Sequence, residues 1–267
     1  MLVQTPPQVE LHTRTDTGPV RDGNEDYCAA LGLESDAARS FLLIVADGLG
    51  GHRAGEVASK MAVETLIDEA RQEGAPLGDR FFSRALQQAN LAIFNHGHDH
   101  PDCFNMQSTM SAIAIQFDRL LLAHVGDCRV FRLRGGAIQQ LTTDHTRVTE
   151  MLRMRLITPE QALRHPARSM LTRSLGADLI LQVDTLRERV QAGDAYVVCT
   201  DGLWNEVSSE EIRRTVAELP GDEACERLLQ LGSDRGAADN MTIGLARVHA
   251  VEATPPAAPR WKSWFGR

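Results

Sequence analysis

Five acidic clusters are spread along this chain: Arg21-Asp22-Gly23-Asn24-Glu25-Asp26, Ala46-Asp47-Gly48, Gly126-Asp127-Cys128-Arg129, Thr200-Asp201-Gly202 and Asp239-Asn240. A carboxylate at the end of a buried strand is costly unless a cation or donor meets it. Several such ends converging make an oxygen-rich pocket for hard divalent cations. The chemistry of such a pocket is two-metal hydrolysis, in which ions roughly 3.5–4 Å apart share a water and activate it near neutral pH. Asp47 is the candidate bridge, and Gly48 lets a backbone carbonyl approach an ion as well. Asp201-Gly202 repeats the strand-end pattern. Asp239 follows the loop Arg235-Gly236-Ala237-Ala238, with Asn240 placed to orient it. Arg21 stands just before Glu25 and Asp26, and an arginine fork beside a metal pair suits a phosphate. One Asp-Gly pair alone is usually a turn; the specificity lies in the ordered set.

These residues need elements to hold them. Alternation predicts a strand over 9–15, 27–33 is the candidate for the next, and the unbroken apolar run 41–46 predicts a buried strand ending at Asp47. A helix is expected over 55–72, with Val57, Met61, Leu66 and Ile67 on its inner face. A second is expected over 79–95, capped by Asp79, with Phe82, Leu86 and Ile93 inward. Strands over 109–117, 120–125 and 129–133 carry hairpin signals at Asp118-Arg119 and Arg134-Gly135-Gly136-Ala137, which makes them antiparallel neighbours. Helices are expected over 146–155 and 158–164, the latter with Pro159 in its first position. Strands at 179–186 and 195–200, helices at 208–219 and 222–231, and a closing strand at 241–248 complete the body. This order points to sheet layers with helices outside. Beyond it, Ala253-Thr254-Pro255-Pro256-Ala257-Ala258-Pro259 reads as an extended linker to an aromatic and basic tip, Arg260-Trp261-Lys262-Ser263-Trp264-Phe265-Gly266-Arg267. That tip has the character of a docking peptide.

Composition narrows the partners. A net charge of -8 without a dominant basic cluster argues against nucleic acid or an anionic membrane. The five cysteines (Cys28, Cys103, Cys128, Cys199, Cys225) are odd in number and form no CxxC, which fits buried free thiols in a reducing cytoplasm. Residues 1–20 lack a signal-peptide core, and no apolar stretch reaches the length of a membrane span, so a cytoplasmic location is expected. His96, His98 and His100 read as a surface loop after the second helix.

Taken in order, a set of segments resembles a bacterial member of the metal-dependent protein phosphatase family, type 2C (PPM). They are 20–26, 45–52 with Gly55-Glu56, 125–129, 141–146, 171–176, 200–203 and 239–242. The resemblance covers roughly residues 9–248. It implies an α+β fold, a four-layer αββα sandwich of two antiparallel sheets flanked by helix pairs. It divides the chain into a phosphatase domain over 1–248, with a flap at about 145–170, and a tail over 249–267. It also implies hydrolysis of phosphoserine and phosphothreonine in proteins with Mn²⁺ or Mg²⁺, two core ions and a possible third. By position, Asp47, Asp201 and Asp239 hold one ion, Asp47 and the Gly48 carbonyl the second, and Asp127 joins Asp201 at the third. Glu25 and Asp26 act at or just behind the ions, Arg21 grips phosphate, and Asn240 and His52 give support from behind. The implied partners are phosphorylated proteins, a cognate Ser/Thr kinase and a forkhead-associated protein.

Departures from the family pattern are few. Leu49 stands for a usual Met and Cys128 for a usual Ser, and Gln107-Ser108-Thr109 replaces Gly-Thr-Thr, which reads as packing. A non-catalytic module on the same fold would have lost one of Asp47, Asp201 or Asp239, and none is lost. A phosphatase for small phosphoesters would share the same chemistry.

Overall fold

The computed structural model describes residues 9–35, 38–50 and 54–251. The chain opens with β1 (Val9–Asp16), β2 (Asp26–Glu34) and β3 (Arg39–Leu49), then α1 (Ala54–Glu73) and α2 (Phe81–Asp99). A short β4 (Gln107–Ser108) precedes β5 (Met110–Gln116), β6 (Arg119–Val125), β7 (Arg129–Arg134) and β8 (Ala137–Gln140). Next come α3 (Arg147–Arg153), α4 (Pro159–Ala162), β9 (Asp184–Arg189) and β10 (Ala195–Cys199). The last elements are α5 (Asp201–Trp204), α6 (Ser209–Glu218), α7 (Gly221–Asp234) and β11 (Met241–Val248).

Two antiparallel sheets result, one in the order β1-β11-β10-β7-β8 and the other β2-β3-β5-β6-β9, with β4 paired to the end of β3. Alternate residues of each central strand feed different cores. Leu42, Ile44 and Ala46 of β3 pack with α1 and α2, while Leu43 and Val45 join Tyr196, Val198 and Ala246 between the sheets. A third core sets Val197, Ile243 and Leu245 against Ile212, Val216 and Leu228 of α6 and α7. Both faces of the central strands are therefore buried, which explains why they read as unbroken apolar runs. The layers run helix, sheet, sheet, helix, the α+β sandwich expected.

Several local expectations change. Strands β6 and β7 are not neighbours: Gly126, Asp127 and Cys128 carry the chain from one sheet to the other, with Gly126 at φ +103°. The turns at Asp118 and at Gly135-Gly136 do close hairpins, β5 with β6 and β7 with β8. The crossing sets Asp127 between the sheet ends. The inner face of α1 is built from Ala58, Ala62, Leu66 and Ala70, whereas Val57, Met61 and Ile67 flank it half-buried. Small residues let this helix lie close to the sheet, so the large residues mark its shoulder. Asp79 does not cap α2, which begins after Arg80; Asp79 pairs instead with Arg187 at 3.1 Å.

The strand expected at 179–186 starts only at Asp184, where it registers with His124 of β6. Before that, Gln87 and Asn90 of α2 satisfy the backbone: Gln87 donates to Leu179 O and accepts from Leu181 N–H, and Asn90 donates to Asp178 O. Helix α2 runs to Asp99, so His96 and His98 ride its last turn rather than a loop, and the His96 and His100 rings stack at 3.9 Å. The five cysteines are free thiols, with Cys128, Cys199 and Cys225 fully buried. No helix among the described residues is long and apolar enough to cross a membrane. His52 and the 252–267 part of the tail lie outside the described residues.

Candidate active site

The acidic clusters meet where strands of both sheets end. Asp26 opens β2 directly opposite Asp47 near the end of β3. Asp201 begins α5 straight after β10, and Asp239 and Asn240 immediately precede β11. Strand pairing thus delivers carboxylates from distant parts of the sequence to one edge of the sandwich. Asp26 is buried and accepts a hydrogen bond from the Thr200 hydroxyl at 2.8 Å, so it sits behind the cluster. Asp47 is held through its backbone. Its N–H donates to Thr109 Oγ1 at 3.1 Å, and its carbonyl accepts from Thr109 N–H at 2.8 Å and Ser108 Oγ at 3.0 Å. Residues 107–109 therefore do more than pack: two of them fix the central aspartate.

Asn240 is the hub on the opposite side. Its amide donates to the carbonyls of Thr17 and Gly23, and its Oδ1 accepts from Glu25 N–H at 2.8 Å. One side chain thus folds the 17–25 loop against Asp239. Arg21 reaches across that loop to Asp239 Oδ2 at 2.7 Å and to the Ala238 carbonyl at 3.3 Å. The Glu25 carboxyl lies against Gly55, where an added Cβ would come within 2.7 Å of its Cδ. Asp127 is buried, and its carbonyl accepts from the Trp204 indole at 3.0 Å. Arg129 stacks on that indole 3.5 Å from the ring centroid and grips Asp144 with Nε and Nη2. His145 accepts the Gly126 N–H at 3.1 Å and meets Asp184 at 3.1 Å, tying the segment after β8 to the Asp127 crossing.

Burial and crowding set the charge state of the cluster. Burial, then repulsion from Asp26, Asp201, Asp127 and Asp239, drives the Asp47 carboxyl well above the usual carboxylate range. Burial first, with nearby aspartates adding to it, pushes Asp26 up to about 7 and Asp127 up to about 8. Asp201 rises to about 6 through burial and then Asp239, against a pull downward from Arg21 and Arg168. Acids this crowded favour any divalent cation that replaces their protons. The donors on offer are carboxylate and carbonyl oxygens, the ligands of Mn²⁺ and Mg²⁺.

The sequence model described as protein phosphatase 2C matches residues 21–242. The chain belongs to the protein phosphatase 2C family. It is 32% identical over 257 residues to Protein phosphatase PhpP of Streptococcus pneumoniae, covering 92% of this chain and all of that one. Its fold matches the serine/threonine phosphatase PstP/Ppp of Mycobacterium tuberculosis with a TM-score of 0.82 at 35% identity, over 91% of this chain and 99% of that one. A structure of the PstP catalytic domain in complex with two manganese ions matches with a TM-score of 0.80 at 33% identity, over 91% and 99% of the two chains. Membership makes this 2C-type chain an enzyme, a serine/threonine protein phosphatase.

A 2C phosphatase built this way carries a pH signature when stripped of metal. The raised acids bind more protons folded than unfolded, so their contribution is complete below about pH 4 and is lost as pH rises to about 8. Stability of chelator-treated protein is therefore expected to fall between pH 5.5 and 7.5 by a few kcal/mol, about 5–10 °C in Tm. Added Mn²⁺ should reverse the loss and release protons. A flat Tm profile over that window would show that the acids do not share one crowded site.

Proposed function

We propose that this enzyme removes phosphate from phosphoserine and phosphothreonine in proteins at a dinuclear Mn²⁺ or Mg²⁺ site, with a possible third ion. The observation that carries the reading is the convergence of carboxylates at strand ends: Asp26 directly opposite Asp47, with Asp201 just after β10 and Asp239 just before its neighbour β11. The upward shift of Asp26, Asp47 and Asp201, caused first by burial, is in keeping with it. When bound, the ions supply polarisation of the phosphoryl oxygens and an activated water. Asp47, Asp201 and Asp239 would hold one ion, Asp47 and the Gly48 carbonyl the other, and Asp127 with Asp201 the third. Among the described residues no three His, Cys, Asp or Glu side chains are already grouped to hold an ion, so an ion at Asp47, Asp201 and Asp239 would have to draw these side chains together.

The protein's own groups do the rest. Asn240 and Thr109 orient the ligand-bearing backbone. Arg21, already anchored on Asp239, is positioned to meet a phosphate oxygen next to the ions. Glu25 and Asp26 would act at or just behind the ions; Asp26 accepts a hydrogen bond from the Thr200 hydroxyl. The segment 145–170 serves as a flap beside the cleft. Its base is pinned by Arg147 N–H to Met170 O and by Thr172 N–H to His145 O. We place the enzyme in the cytoplasm, reversing a Ser/Thr kinase, with a forkhead-associated protein as a further partner.

Phosphate release from a phosphothreonine peptide by chelator-treated protein, with and without Mn²⁺, tests this. Release only with metal is expected. Release without metal would remove the dinuclear reading, and none at any metal concentration would leave a binding module on a phosphatase fold.

A further inference from the structure

The flap carries a charge that the rest of the chain does not. Residues 145–170 contain five arginines against two glutamates in a chain of net charge -8. Both glutamates are engaged: Glu150 by Arg147 at 3.4 Å, and Glu160 by the Thr158 side chain. Arg153, Arg155, Arg164 and Arg168 are exposed and make no ion pair among the described residues. Elsewhere on the protein arginines are commonly neutralised, as Arg129 is by Asp144, Arg134 by Asp194, Arg173 by Asp184 and Arg235 by Glu211. Unpaired arginines concentrated on one element beside an acidic cleft are left with charge to offer a partner.

Geometry shows where that partner would lie. A groove of about 300 Å³ separates the flap from the core. Its flap wall is Val148, Leu152, Pro159, Leu163 and Arg168, and its core wall includes Asp127, Asp201 and Trp204. The groove therefore runs from an apolar floor into the acidic cluster, with Arg168 on its rim. Leu163 and Met170 are 75% and 60% exposed beside it, apolar surface that a bound peptide would cover.

We propose that the flap selects phosphoserine and phosphothreonine segments carrying Asp or Glu next to the phosphorylated residue, with Arg168 and Arg164 meeting the acidic side chains and the Val148–Leu152–Leu163 groove holding an apolar neighbour. The proposal rests on the phosphatase reading above and names its substrate class. The charges match: unpaired arginines of the flap face the negative flanks of such a segment. Each exposed pair of this kind changes binding by a factor of about 1.5 to 5. Two acidic residues against two lysines on the same scaffold thus separate substrates by about tenfold or more at low salt.

The test compares kcat/KM for two phosphothreonine peptides of equal length, one flanked by glutamates and one by lysines, with Mn²⁺ present. The full chain is expected to favour the acidic peptide about tenfold at low salt, falling toward parity near 0.5 M salt. In the double variant Arg164→Glu/Arg168→Glu the ratio should drop to one or invert; a general loss of activity cancels in the ratio. Release from both peptides at a ratio near one in the parent protein would overturn the proposal and leave the phosphatase intact. A ratio unchanged in the double variant would overturn the assignment to these arginines. Release from neither peptide would overturn the phosphatase reading, and this proposal with it.

Discussion

Asp201→Asn is expected to lower kcat/KM by at least about 100-fold while raising the melting temperature of the metal-free protein. The two effects have one cause. Asp201 sits at the start of α5, where burial first and the Asp239 charge after it lift its carboxyl to about 6. Asparagine keeps the shape and can still accept the weak contact that Asn205 makes to Oδ2 at 3.4 Å. It removes one buried negative charge, which relieves Asp47 and Asp127 and stabilises the empty site by on the order of 1–3 kcal/mol near pH 7.5. The same charge is what a divalent ion needs. Asp239→Asn should lose activity just as far but gain less stability, because Asp239 also neutralises Arg21 at 2.7 Å. Paired measurements of phosphate release and chelator-treated Tm decide the matter. Normal turnover in either variant would refute the ligand assignment, and a large fall in metal-free Tm for Asp201→Asn would mark that residue as structural.

The sandwich was legible because its central strands are apolar on both faces and its helices are bounded by Pro, Ser and Gly signals. The capping box at Ser208 and Glu211 and the one at Thr158 and Gln161 fall where the sequence places helix starts. What periodicity missed has physical reasons. On α1 the buried stripe is alanine, which carries little hydrophobic signal, so the larger residues beside it mark the wrong face. At 179–183 the backbone is satisfied by Gln87 and Asn90, and nothing local reveals a helix more than eighty residues upstream as the partner. The β6–β7 link looks like a third hairpin until Gly126 is seen to carry the chain into the other sheet.

The acidic positions themselves were readable, since strand ends followed by glycine are short and ordered motifs. Their supports were not. Thr109, Ser108, Thr200 and Trp204 each hold a site residue through a hydrogen bond to its backbone or carboxyl, and hydroxyls beside apolar strands or an indole in a short helix look like ordinary filling. Ser108 pairs in register with Gly48, next to the strand-end aspartate, but register is a tertiary fact that local sequence does not show. Arg21 shows the same limit: its place beside the cluster follows from the sequence, whereas its grip on Asp239 depends on how Asn240 folds the intervening loop.

Gly48→Ala is expected to cost more than about 3 kcal/mol and to abolish phosphate release, although it adds one methyl group. Without a side chain, Gly48 leaves its carbonyl open to an ion. The structure adds a harder requirement: a Cβ there would overlap the Gly55 carbonyl oxygen and lie 2.6 Å from the Glu25 carbonyl oxygen. Neither neighbour can yield cheaply, because both are backbone. The Glu25 carbonyl accepts from Gly48 N–H at 3.0 Å and from Ser59 Oγ at 2.6 Å, and Gly55 belongs to the first turn of α1. To admit the methyl group, the end of β3 must part from α1 and from the Glu25 loop, and Asp47 moves with it. Overpacking against backbone is penalised beyond the usual 1–3 kcal/mol of core insertions. Gly23→Ala provides the control: nothing lies within 4 Å of its Cβ, so stability should change by less than about 1 kcal/mol although the residue sits in the same acidic motif. Urea midpoints of the two variants, read beside Mn²⁺-dependent activity, separate the cases. A Gly48→Ala protein as stable and active as its parent would mean that the β3 end and α1 are free to move apart, and that the carbonyl of residue 48 is not held where an ion would need it.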